Sequence, residues 1–207
     1  MSDGNSNLAV LFVAFIRRNV MPSVSFRLGE VVWLKNRPSE RDCSQIRDLF
    51  RNALEKTIFE ETEYGKFDQY LGSALLSSGC SDVSDNDITR VSYDSGHTLD
   101  LTATMPDRLH LAIEIQKTEI KRVIHDMLKI AAYQRGHDAV GLIVVPTRYT
   151  TTNGHFARTH LQECRDVLEL LECSHPWQGD SLGVITYEKV SAHSSVVATS
   201  TAGARHE

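Results

Sequence analysis

No apolar run in this 207-residue chain reaches the roughly 18 residues that a membrane span requires. The longest, Leu8 to Ile16, has neither a basic leader nor a small-residue cleavage site, so it reads as a buried strand and not as a signal peptide. Cysteine is scarce, and the four residues, Cys43, Cys80, Cys164 and Cys173, form no CxxC pair. That spacing excludes a structural zinc cluster and predicts reduced thiols in a cytoplasmic protein. The nine histidines are scattered. His155 and His160 lie five apart, which does not stack them on one helical face, so a histidine metal site is not expected. Positive charge is also short. A net charge of −5 counts mildly against a nucleic-acid binder, which usually presents a basic surface. The shortage is uneven, because residues 107–148 hold seven Lys/Arg against five acids. There is no internal repeat.

What is present suits one globular domain. Apolar content of 41% and charged content of 24% are ordinary for such a chain. Residues 8–16 and 24–34 read as strands. Ser39 followed by Asp42 resembles a capping box, and Ile46, Leu49, Phe50, Ala53, Leu54 and Ile58 then recur at helical spacing. A shorter helix is expected from Phe67 to Ser78, stopping at Gly79. Residues 81–87 are polar and read as a loop. Strands at about 97–102 and 109–116 flank a turn at Met105-Pro106-Asp107. The next helix carries Ile120, Val123, Ile124, Met127 and Ala131 on one stripe and stops near Gly136. Ala139 to Val145 reads as a fully buried strand. A loop over 147–155, a helix over 156–172 and a strand over Leu182–Tyr187 complete an α/β order. The expected division is a domain over 1–190 and a disordered tail over 191–207.

Chemistry concentrates in the strand Leu109-His110-Leu111-Ala112-Ile113-Glu114-Ile115-Gln116. Alternation puts the leucines and isoleucines on one face, and His110, Ala112, Glu114 and Gln116 on the other. In Leu99-Asp100-Leu101 the pattern repeats, with Asp100 opposed to two leucines. A hairpin centred near Pro106-Asp107 sets Asp100 opposite Ala112 to Glu114. Two carboxylates and an amide oxygen then meet beside a small alanine. Mg²⁺ prefers such oxygen ligands and keeps several waters. An ordinary half-solvated hairpin would show the same pattern, so the spacing alone leaves both readings open.

Asp100-Leu101, Leu111-Ala112-Ile113-Glu114-Ile115-Gln116, the helix with Asp126-Met127-Leu128-x-Ile130 and the strand Val140 to Pro146 together resemble the PD-(D/E)xK nucleases. The likeness is to the type II restriction endonucleases of the BglII/BstYI group and, more distantly, BamHI. Gln at position 116, where most of that superfamily has Lys, is the trait of this group. The likeness covers roughly residues 66–187. It implies a restriction-endonuclease-like fold, a central mixed β-sheet flanked by helices. It implies Mg²⁺ held by Asp100, Glu114 and Gln116, with Asp68 as a further site residue. A helix cap is the alternative for Asp68. It also implies a homodimer that cuts double-stranded DNA at a short palindrome, GATC-centred in the group, beside a cognate methyltransferase of the same system. Bases would be read in the major groove by Lys117, Thr118, Lys121, Arg148, Tyr149, Thr150, Thr151 and Asn153. The loop at 147–155 is equally a plain surface turn around Asn153-Gly154. The Asp100 to Glu114 gap is longer than in the group. The other readings left open are a PD-(D/E)xK nuclease of repair or mobile-element processing and a catalytically dead dimeric DNA-binding module.

Overall fold

Alternating apolar residues build the first strand, β1 (Ser23–Lys35). Val24 and Phe26 are buried, and Leu28, Val31 and Trp33 continue the same core beyond a bulge. The computed structural model describes residues 23–85, 88–92, 95–117, 123–147, 159–174, 176, 177 and 179–191. The strand expected at 8–16 lies outside them, as do all but the first residue of the expected tail.

β1 is the second strand of a seven-stranded sheet. Its other strands are β2 (Ile58–Glu60), β3 (Ser81–Asp85), β6 (Leu101–Thr104), β7 (His110–Ile115), β8 (Val140–Pro146) and β9 (Leu182–Ser191). The order is β2-β1-β9-β8-β7-β6-β3. β7, β8 and β9 run parallel and the other pairings are antiparallel, so the sheet is mixed. β4 (Ile88–Ser92) and β5 (Ser95–Thr98) form a separate hairpin.

Helices cover both faces. On one side lie α1 (Glu40–Lys56) and α2 (Phe67–Ser77), the latter entered through a 3₁₀ turn at Glu61–Lys66. On the other lie α3 (Val123–Gln134) and α4 (His160–Ser174), which carry the parallel crossovers from β7 to β8 and from β8 to β9. Ser39 caps α1 as its sequence suggests, its Oγ accepting from the Asp42 amide at 3.2 Å. After α2 the chain turns at Gly79 with φ +99°, a conformation that suits a residue without Cβ. Gly141 serves differently: a Cβ there would sit 2.3 Å from Ile130 Cγ2, so its absence lets α3 lie flat on β8.

Several expectations need correcting. The polar stretch at 81–85 is an edge strand paired with β6, not a loop. An edge strand is half-solvated and can be written without an apolar face. The strand expected at 97–102 is broken at Leu99-Asp100: β5 ends at Thr98 and pairs with β4, and β6 begins at Leu101. Ile58 does not join the α1 stripe but stands exposed in β2. Ile124 points outward at 40% exposure, whereas Val123, Met127 and Ala131 of the expected stripe are buried and are joined by Asp126 and Ile130. β9 runs four residues past Tyr187, to Ser191. Among the described residues no helix is long and apolar enough to cross a membrane.

Candidate active site

β7 turns Leu111, Ile113 and Ile115 toward α1 and α2, and it turns Ala112 toward α3. Glu114 shares the α3 side and is 1% exposed. The turn into β7 places Met105 N on Leu109 O at 2.8 Å and Arg108 N on Met105 O at 2.9 Å. Arg108 there takes the left-handed φ of 73° that a three-residue hairpin loop demands. This turn fixes Leu101 against Ile113. Asp100 lies just outside the ladder, close enough for its charge to act on Glu114. Asp100 Oδ2 accepts from the Ile115 amide at 2.7 Å, which holds the carboxylate over the end of β7.

From α3, Lys129 reaches into the same place. Its Nζ lies 2.5 Å from Glu114 Oε2, 3.0 Å from Thr98 O and 3.9 Å from Asp126 Oδ1. Gln116 is 8% exposed and donates its amide nitrogen to Asp126 Oδ2. An ionised carboxylate only accepts, so the amide nitrogen must face it and the amide oxygen faces away. Glu114 Oε1 is buried and has no hydrogen-bond partner among the described residues. Two carboxylates, Glu114 and Asp126, thus lie within 4 Å of one ammonium. Burial, reinforced by the charge of Asp100, pushes the Glu114 carboxyl up to about 9 against the opposing pull of Lys129. Burial also raises Asp126, while the Gln116 amide and Lys129 act against that rise.

The donor chemistry fits Mg²⁺. Glu114 is a buried carboxylate with an unpartnered oxygen, the half-buried Asp100 lies beside it, and Mg²⁺ takes one or two carboxylates and completes its shell with water and phosphate. Gln116 Oε1 is the amide atom left to join them or to orient water. Among the described residues no three His, Cys, Asp or Glu side chains form a ready-made ligand group.

The remaining expected residues fall elsewhere. Asp68 is in the first turn of α2, where Lys66 and not Asp68 holds the cap position. Asp68 Oδ1 pairs with Lys117 Nζ at 2.8 Å, and Lys117 also bonds Gly65 O. Both lie across the sheet from Glu114. Thr118, Lys121, Arg148, Tyr149, Thr150, Thr151 and Asn153 lie outside the described residues.

Sequence reasoning missed Lys129 and Asp126. Their signal was present, since both interrupt the apolar side of a helix with charge. It also missed the Tyr64 and Tyr187 hydroxyls, 2.7 Å apart, which reach the carbonyls of Lys117 at 2.9 Å and Gln116 at 3.2 Å. Compared with known protein families and with curated proteins, the chain matches none.

Proposed function

We propose that this chain is a Mg²⁺-dependent type II restriction endonuclease with a PD-(D/E)xK site on a restriction-endonuclease-like fold. It hydrolyses phosphodiester bonds of double-stranded DNA at a short palindrome, leaving 5′-phosphate. The observation that carries the reading is the unpartnered, buried Glu114 Oε1 beside Asp100 at the end of β7. Two neighbouring acids, one buried with a free oxygen, repel when both are ionised, and a bound divalent cation relieves that repulsion in place of the proton that burial retains. Mg²⁺ bound there would make water a better nucleophile and polarise the phosphoryl oxygen. Asp100 and Glu114 hold and orient the site. Gln116, neutral and unable to accept a proton usefully, orients water through its amide oxygen and is not the general base. Lys117, Thr118, Lys121 and the loop residues Arg148, Tyr149, Thr150, Thr151 and Asn153 are the proposed DNA contacts. A palindrome reader needs two-fold symmetry. The exposed Ile124 and Leu128, at 40% and 49% exposure on adjacent turns of α3, support a homodimer through that helix.

The test is cleavage of a mixed-sequence plasmid with and without Mg²⁺. Discrete fragments that appear only with Mg²⁺ are expected. A smear, or cuts confined to branched DNA, would favour a repair nuclease. Intact plasmid under both conditions would overturn the reading.

A further inference from the structure

The position of Lys129 goes beyond the ligand set. It is a buried lysine, 8% exposed, with two carboxylates in reach and only one engaged. Its Nζ contacts Glu114 Oε2 at 2.5 Å, while Asp126 Oδ1 waits at 3.9 Å, too far for a hydrogen bond. The Gln116 amide is bound to the other Asp126 oxygen, Oδ2. The two seats lie on different elements, one on β7 and one on the same helix as the lysine.

We propose that Lys129 is a built-in competitor for the divalent cation. In the metal-free protein its ammonium occupies Glu114 Oε2. Cation uptake requires the ammonium to release Glu114 Oε2 and move to Asp126 Oδ1. The affinity of the site is therefore set by an exchange between a tethered charge and a dissolved one, and Asp126 is the seat that makes the exchange possible. A Lys129 that left Glu114 with only the neutral Thr98 carbonyl beside it would be a buried charge without a counter-ion, which is expensive. With Asp126 present it exchanges one carboxylate for another. The inference rests on the metal-site reading above and not on DNA cleavage.

The experiment measures Mg²⁺ binding by calorimetry, and thermal melting with and without Mg²⁺, on the DNA-free full chain. Lys129→Met removes the competitor while keeping an unbranched chain. Its Mg²⁺ affinity should rise at least about tenfold over wild type, since a unit charge at contact distance is worth more than that at an interior dielectric. Its metal-free melting temperature should fall, and Mg²⁺ should restore it by a larger shift than in wild type. Asp126→Asn keeps the lysine but removes its second seat, so its affinity should drop by roughly tenfold on the same argument. Lys129→Met affinity equal to or below wild type overturns the inference and leaves the metal site standing. If Lys129→Met fails to fold even in Mg²⁺, unchanged affinity in Asp126→Asn overturns it and lowered affinity upholds it. Absence of Mg²⁺ binding in wild type and in both variants removes the metal site itself, and the inference with it.

Discussion

Gln116 and Lys117 are adjacent in the chain but tied to opposite helical layers. Gln116 donates to Asp126 on α3, and Lys117 pairs with Asp68 on α2 at 2.8 Å. Strand alternation alone requires this divergence, and it separates the two residues' roles.

Gln116→Leu should lower the single-turnover cleavage rate by about 10²-fold or more, the scale of a misplaced reacting group. It also leaves Asp126 without its amide donor, at a stability cost of about 1–3 kcal/mol. Gln116→Glu keeps an acceptor oxygen and should retain part of the rate. Lys117→Ala should weaken DNA binding and spare the chemical step, while loss of its partly exposed ion pair should cost less than about 1 kcal/mol. A chemical step lost in Lys117→Ala and preserved in Gln116→Leu would reverse the assignment of the two faces.

Asp100→Asn and Glu114→Gln should each abolish cleavage, and both proteins should still fold. DNA binding without metal should hold or tighten, because a charge that repels phosphate has gone. Filter binding and plasmid nicking read the two effects separately. Near wild-type turnover in Asp100→Asn would remove Asp100 from the site.

The Glu114 carboxyl predicts an alkaline weakness of the metal-free protein. Its folded value of about 9 lies above its ordinary value of 4.5. Across that window the folded chain keeps a proton that the unfolded chain has lost, so stability falls as pH rises. Glu114→Gln cannot lose the proton and should show a flatter melting profile over the same range. A wild-type protein whose melting temperature climbs relative to Glu114→Gln between these limits would contradict the burial argument.

The parts read correctly from sequence are those where one element decides the outcome. The α1 cap at Ser39 depends on a local contact with Asp42, and the two faces of β7 depend only on alternation. The pairing of Leu101 with Ile113, which leaves Asp100 near Glu114, needed one turn as well, and Pro106-Asp107 marks it. What escaped depends on how separate elements meet. β3 is too polar to announce a strand, and its pairing with β6 supplies what propensity does not. The approach of Lys129 to Glu114 depends on the rotation of α3 about its axis over the sheet, which is set by contacts such as Ile130 against Gly141. A stripe that includes Ile124 implies a different rotation, one that would carry Lys129 away from β7.

The Tyr64 and Tyr187 hydroxyls share two protons among three short contacts, so one contact always lacks a donor. Burial raises both phenols, which keeps both protons in place. Tyr187→Phe removes one proton and should cost about 1–2 kcal/mol in chemical denaturation. Because the pair holds the carbonyls of Gln116 and Lys117, it should also slow cleavage more than a comparable loss of stability elsewhere. Equal stability and rate in Tyr187→Phe and wild type would mean the hydroxyls do not fix the end of β7.

The two borders of the sheet constrain how copies of this protein can meet. One border is β2, three residues long. The other is β3, which carries Asp82 and Asp85, slips register between Ser81 and Ser84, and bends at Asp82 with φ 49°. β3 offers no long flat row of free amides and carbonyls for another chain to extend, whereas β2 pairs only with Ser23, Val24 and Ser25 of β1. Self-association by ladder growth is thereby disfavoured at the β3 border. Pairing of subunits through the exposed Ile124 and Leu128 should be disrupted by a charge on α3, as in Leu128→Glu, and be indifferent to one on β3.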